Sequence, residues 1–186
     1  MFRFCVKATA AVPPTDLPSF PKYMGAGCVF TDGKHILAGY QPHKAKPGIN
    51  GLGGHKESGE TYLQTAFRET LEELFHVETS AIPPKLIPDL IQTLVPTRVK
   101  QKNDYVLVHF TLDDLLTFLR MTKKSGLTSP LFPTLPLTLL DLLQKRRHDP
   151  KAEVAVLCLL PVVKHPLHKK GKDFVTPYFV KDLWEL

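Results

Sequence analysis

A chain of 186 residues, 43% apolar and 23% charged, is long enough for one domain with a sizeable core and has the balance of a globular protein, not a disordered one. No run reaches the roughly 18 apolar residues that cross a bilayer, and Lys7 splits the short apolar stretch of "MFRFCVKATAAVPP", which makes a poor secretory leader. The formal charge of +6 gathers at 43–46, 100–102, 123–124, 145–148 and 164–172, which suits a polyanionic partner in general terms, although most clusters lack the interleaved aromatics of a base-stacking track.

In chain order, residues 1 to 22 read as a strand or arm and then a proline-rich irregular segment. "GAGCVFTD" and "HILAGYQ" read as two strands joined by a tight turn at Asp32-Gly33. The loop "PHKAKPGIN" leads to a glycine-rich turn, and residues 60 to 75 form the clearest helix. "KLIPDLIQTLV" and "DYVLVHFTL" read as strands linked through the basic "PTRVKQKN", and Asp113 to Met121 as a helix. Residues 123–137, with three prolines, are expected to be a loop or insertion within a single domain spanning 1–186, and to shape specificity. "TLLDLLQKRRH" reads as a helix whose basic end suits the helix dipole, "EVAVLCLLPV" as a buried strand, and "TPYFVKDLWEL" as a closing helix carrying Trp184. Cys5, Cys28 and Cys158 have neither metal-type spacing nor a disulfide framework, so a reducing, cytoplasmic setting is expected.

The helix at 60–75 carries the chemistry. At about 100° per residue, with Glu69 at zero, Glu72 falls near −60° and Glu73 near +40°, so three carboxylates share one narrow face. Leu63, Phe67, Leu71 and Leu74 fall on the opposite face, between about 120° and 200°. Arg68 stands to one side, and no lysine or arginine lies among the three acids on that face. Unrelieved, such a set loses a few tenths of a kcal/mol per like-charged pair. An oxygen-seeking divalent cation such as Mg²⁺ would turn the repulsion into attraction, whereas the plainer reading is a solvated helix face. Upstream, Gly53, Gly54 and Gly59 allow sharp turning and close approach to the main chain. Glu60 near the helix start is placed for Arg68 to reach back and brace loop against helix.

Gly54, Glu60, Arg68, Glu69, Glu72 and Glu73 stand at the spacing G-x5-E-x7-R-E-x2-E-E, which resembles the signature of the Nudix hydrolases over residues 54–76. "GLGGHKESGE" also resembles the loop that those enzymes place before the signature helix. Three positions depart. Thr70 stands where an aliphatic is expected, Phe75 where the signature has glycine, and His76 where it has an aliphatic. Phenylalanine takes a left-handed cap only with strain, so the helix is expected to run one residue longer, with His76 as the cap and Val77 entering the core. No departure removes a carboxylate.

The resemblance implies an α/β fold, a Nudix-type α/β/α sandwich with a mixed β-sheet. It implies a hydrolase of acid anhydrides cleaving a diphosphate bond in a nucleoside di- or triphosphate, or in a nucleoside diphosphate-linked substrate. By similarity, Glu69, Glu72 and Glu73 would hold Mg²⁺ or Mn²⁺ with the carbonyl of Gly54, and Glu60 and Arg68 would play a structural part. A base outside the motif is sought in Glu153, with Asp104 and Asp113 as alternatives. His43, Lys44 and Lys46, in the loop before the glycines, are candidates for meeting phosphates. His55, beside Gly54, is a candidate substrate contact or an exposed loop histidine. Tyr23 and Tyr40 are open between stacking on a base and packing, while Phe30 and Phe110 are expected in the core. Three functions stay in view: a small-nucleotide hydrolase, an RNA 5′-cap hydrolase using the basic clusters, and a Nudix-fold module that binds nucleotide or RNA without turnover. A membrane partner is not expected.

Overall fold

The computed structural model describes residues 17 to 45, 47 to 162, 175, 176 and 179. β1 (Gly25–Thr31) and β2 (His35–Gln41) form the expected hairpin. Gly33 supplies the left-handed residue of the turn, and Asp32 Oδ1 accepts from the backbone N–H groups of Lys34 and His35. β2 also pairs with β3 (Gly48–Asn50) and with β7 (Val156–Pro161). β1 takes β4 (Leu52–His55) antiparallel along one edge and β6 (Tyr105–Thr111) parallel along the other, and β6 takes β5 (Arg98–Lys102) antiparallel. Among the described residues the result is a mixed seven-stranded sheet whose main path runs β3-β2-β1-β6-β5.

Among the described residues α1 (Tyr62–Phe75), α3 (Leu112–Lys124) and α4 (Leu139–Gln144) pack with this sheet, and α2 (Leu86–Thr93) packs on α1 and α3. The main core lies between α1, α3 and the alternate residues Ala26, Cys28, Phe30, Val106, Val108 and Phe110 of the two parallel strands. Phe30, Phe67, Phe110 and Phe118 meet there with ring centroids 5.4 to 6.2 Å apart, so the expected core roles of Phe30 and Phe110 hold. Val29, Ile36 and Ala38 point to the other side of the sheet, where Val175 and Phe179 cover them. Mixed sheet and helices together agree with the α/β class expected from the sequence. No helix among the described residues is long and apolar enough to cross a membrane.

Four segments depart from the sequence reading. The first, 85–95, is helical: Leu86, Leu90 and Leu94 recur every fourth residue and are buried, a helical stripe that the β-branched neighbours obscured. Pro88 is tolerated because the first turn has no intrahelical partner for its missing N–H. The basic link at 96–103 is largely strand β5, turned into β6 through Asn103, which adopts φ 55°. The glycines at 53 and 54 lie in strand β4 instead of a turn, and the loop before them contains β3. α4 is shorter than expected, stopping before Arg146. Most of the arm at 1–22, the cluster at 164–172 and most of the tail with Trp184 lie outside the described residues.

α1 is closed at both ends by side chains. Thr61 and Gln64 form a capping box at its start. At its end His76 is the left-handed cap (φ 52°, ψ 58°), donating its N–H to Glu72 O, while Phe75 is fully buried and Val77 packs on the core. The loop of about 125–138 helps here: Ser129 Oγ donates to Phe75 O, and Leu127, Leu131, Phe132 and Leu135 are buried. Its described contacts close the core beneath the helix end.

His109 on β6 is 5% exposed, and its Nε2 has no hydrogen-bond partner among the described residues. Burial lowers its pKa from 6.5 to about 4, helped by the nearby positive charges of Arg98 and Lys100. The unfolded chain therefore binds the proton first as pH falls. His109 favours the fold fully above pH 6.5, and that contribution drains away towards pH 4. Urea unfolding at pH 7 and pH 5 should reveal a loss on the order of 1–2 kcal/mol that His109→Phe lacks.

Candidate active site

The acidic face of α1 is organised by a cation that the helical wheel had set aside. Arg68 is 4% exposed, and its guanidinium reaches four groups. Nε donates to Glu60 Oε1 (2.7 Å), Nη1 to Glu69 Oε1 and Glu72 Oε2 (2.9 Å each), and Nη2 to the carbonyl of His55 (2.7 Å) and to Glu60 Oε2 (3.1 Å). The expectation that no cation stands among the acids is thus corrected: the long side chain bends back over the face. Its fork braces α1 against β4 and against the loop that carries Glu60. Burial acts to raise the Glu60 pKa, but donors from Arg68, the Glu57 N–H and Thr65 outweigh it, and the net shift is downward.

One guanidinium faces three carboxylates, so negative charge is left over. Burial raises the Glu69 pKa, and the carboxylates of Glu72 and Glu153 add to this against the opposing pull of Arg68. Glu69 lies flat on the backbone of Gly54: a methyl group there would sit 2.3 Å from Glu69 Oε2. Glu73, one turn on, lies against the preceding residue of β4. It is 3% exposed and accepts from Gln41 Nε2 (2.6 Å) and the Gly53 N–H (2.8 Å). Burial pushes its pKa well above the usual carboxylate range, the Gly53 N–H opposes this, and Glu153 and Glu69 reinforce it. Glu72 also accepts from Thr79 Oγ1.

The 149–155 loop completes the acidic group. Glu153 pairs with Lys44 (Nζ to Oε1, 2.6 Å), and the hydrogen bond to Glu153 raises the Lys44 pKa, with Glu73 and Glu69 adding to it. His43 Nε2 lies 2.7 Å from Pro150 O, a second tie between the 42–45 and 149–155 loops. Arg146 anchors the loop from beneath. Nη1 donates to Ala155 O (3.0 Å) and Nη2 to Glu73 O (3.1 Å), and burial lowers its pKa to about 10. Among the described residues no three His, Cys, Asp or Glu side chains converge as a ready-made ion cage.

A cavity of about 450 Å³ opens beside these groups. Gly25, Gly53 and Gly54 lie in its lining with Gln41, Lys44, Asn50 and His55, and Tyr105 and Phe179 are its aromatic residues. Tyr105 lies across the glycines: a methyl at Gly53 would meet its hydroxyl at 2.3 Å and one at Gly27 at 2.7 Å. Cys28 also borders the cavity, but burial pushes its thiol up to about 12, which rules it out as a thiolate nucleophile at neutral pH.

The structure therefore brings Gly54, Glu69, Glu73, Glu153, Lys44 and His55 to one region, with Glu60 and Arg68 behind them. Lys46 lies outside the described residues. Of the alternatives for a base, Asp104 borders the cavity, while Asp113 sits exposed in the first turn of α3. Tyr23 spends its hydroxyl on Glu60 O (2.6 Å) and carries Lys56 Nζ 4.2 Å from its ring centre, and Tyr40 is half-buried in β2. Sequence reading missed Gln41, Asn50, Tyr105 and Arg146. None belongs to a motif, and only Gln41 carried a signal, as a polar residue closing an apolar strand.

Removing Arg68 would strand Glu60, Glu69 and Glu72 beside one another in a half-buried setting. Arg68→Met is expected to lower stability by about 3–5 kcal/mol, the range for breaking a buried ion pair from one side. Urea unfolding at pH 7 measures it.

No family model matches the chain, and no curated protein matches it either. It is similar to several solved structures. One is a NUDIX hydrolase from Nitrosomonas europaea, at 16% identity over 89% of each chain with a TM-score of 0.41. Another is a bifunctional NMN adenylyltransferase/ADP ribose pyrophosphatase from Francisella tularensis, complexed with AMP and an Mn ion. It matches at 16% identity over 90% of this chain and 41% of that one, with a TM-score of 0.42. A C. elegans Ap4A hydrolase matches at 13% identity over 86% and 90%, with a TM-score of 0.38. Likenesses this loose stand as similarities and carry no inference about activity.

Proposed function

We propose that the chain is a Nudix-type hydrolase that cleaves a diphosphate bond in a small nucleoside diphosphate-linked substrate with the help of Mg²⁺ or Mn²⁺. The observation that carries this reading is the joint position of Glu69, Glu73 and Glu153. Glu69 lies on Gly54, Glu73 accepts from the Gly53 N–H and Glu153 pairs with Lys44, and Gly53, Gly54 and Lys44 all line the cavity. Six residues at the signature spacing agree with it.

The residues suit a hard divalent cation. Their donors are carboxylate oxygens and the Gly54 carbonyl, their negative charge exceeds what Arg68 offsets, and the Glu69 carboxylate needs the missing side chain of Gly54. Mg²⁺ commonly keeps several waters and uses few carboxylates together with substrate phosphates, so a closed protein cage is not required. Glu69 and Glu72, with the Gly54 carbonyl and Glu73, would hold it. When bound, the ion would neutralise phosphate oxygens and make a bound water more acidic.

The protein's own part is placement. Lys44 would leave Glu153 for a phosphate oxygen, and Glu153, thus released, would accept a proton from the attacking water. Arg146 would keep the Glu153 loop in register with α1 through its two carbonyl contacts. Tyr105 and Phe179 would cover apolar parts of the substrate. The cap-hydrolase alternative draws on the basic clusters, of which 145–148 spends Arg146 on buried carbonyls. The small-nucleotide reading is therefore preferred.

The test is product release from nucleoside triphosphates, ADP-ribose, dinucleoside polyphosphates, NADH and capped RNA, with Mg²⁺ and with EDTA. Cation-dependent cleavage of a small nucleotide is the expected result. Cleavage of capped RNA alone, falling steeply with salt, would favour decapping, and no cleavage with folded protein would favour the binding module. Glu73→Gln should keep its fold and lose turnover by about a hundredfold or more, and Glu153→Gln should fall by a similar factor if it is the base.

A further inference from the structure

A line of side chains runs from the far end of the chain to the most deeply buried acid of the site. Thr176 Oγ1 donates to Asn50 Oδ1, Asn50 Nδ2 donates to Gln41 Oε1 (2.7 Å), and Gln41 Nε2 donates to Glu73 Oε1 (2.6 Å). Each amide accepts through its carbonyl and donates through its nitrogen, so every donor points towards the carboxylate. Hydrogen bonds aligned in this way polarise one another, and more so in a low-dielectric setting such as that of Gln41, which is 3% exposed.

The start of this line is fixed by backbone. Thr176 N–H donates to Ile49 O (3.1 Å), and Val175 bridges Ile49 in parallel, which seats both residues on β3 at the end of the main sheet path. Phe179 rests on Gly51, where a methyl group would come within 3.0 Å of its ring. The side-chain line is not needed to hold β2 against β3, because Gly39, Tyr40 and Gln41 already pair there with Asn50, Ile49 and Gly48. What it adds is a second fixed donor on Glu73. The Gly53 N–H holds Oε2 from β4 and Gln41 holds Oε1 from β2, so two strands set the plane of the carboxylate.

We infer that Gln41, Asn50 and Thr176 are positioning residues for Glu73, an inference that rests on the hydrolase reading for its effect on turnover. Gln41, Asn50 and Phe179 all border the cavity, so a bound substrate presses on the same parts that aim the carboxylate. The 175–179 stretch thereby belongs to the site, as its wall through Phe179 and as the first donor of the line through Thr176.

The experiment compares full-length wild type with Thr176→Val, Thr176→Ser, Gln41→Leu and the Thr176→Val/Gln41→Leu double variant. In metal-free protein, the NMR signals of the Gln41 side-chain amide should move in Thr176→Val and return in Thr176→Ser. Unmoved signals overturn the inference whatever the activity. On the best substrate of the panel, Thr176→Val should lower kcat by about tenfold with little change in KM, and Gln41→Leu by about ten- to a hundredfold. The double variant should be no worse than Gln41→Leu, since both act through one line. Multiplying losses, or a change confined to KM, would overturn it. A wild type that cleaves nothing while the amide signals still move would sink the hydrolase reading and leave the line to Glu73 standing.

Discussion

The site depends first on one guanidinium held among carboxylates. Arg68 cannot leave its place without exposing Glu60, Glu69 and Glu72 to one another, and its last donor grips a β4 carbonyl. The contact is both electrostatic and mechanical: it offsets like-charge repulsion and ties α1 to the sheet in a fixed rotation. A lysine could supply the charge but not five donors in a planar fork. At 4% exposure the interaction escapes most of the solvent screening that makes surface ion pairs weak.

That tie divides the acids of α1 and of the loop before it between two environments. Glu60, Glu69 and Glu72 turn towards a cation and stay partly open, while Glu73 turns inward to an amide and a backbone N–H. Burial raises the pKa of Glu73 well above the usual carboxylate range, and its neutral donors oppose that less than a cation would. A divalent ion or a substrate cation-phosphate complex would act most strongly where this uncompensated charge lies, on the cavity side of α1.

Much of this was legible in residue order. The apolar stripe of Leu63, Phe67, Leu71 and Leu74 fixed the buried face of α1, and the misfit of Phe75 to a left-handed cap correctly moved the cap to His76. Helix 86–93 was misread because Ile87, Ile91 and Pro88 mask the i, i+4 leucines, and β5 because its polar residues suit an edge strand that no periodicity marks. The reach of Arg68 back to Glu60 was legible, but its wheel angle says where a Cβ points and not where a long side chain ends, so its contacts with Glu69 and Glu72 were not. Gln41 and Asn50 sit on the neighbouring strands β2 and β3 but Tyr105 lies on the distant β6, and only pairing brings the three to one cavity.

The glycines before α1 illustrate the same limit from the other side. Reading them as a turn invoked backbone freedom, and Gly53 does need it, at φ 146°. The stronger requirement is space. On Gly54 a side chain would displace the Glu69 carboxylate, and on Gly53 it would displace the Tyr105 hydroxyl. A strand stripped of side chains can therefore be a thin partition, with acids packed against one part and an open cavity against another. Thinness would bring the carboxylates within electrostatic reach of a ligand placed on the glycines, a consequence of pairing β4 with β1 that a turn in the same place could not supply.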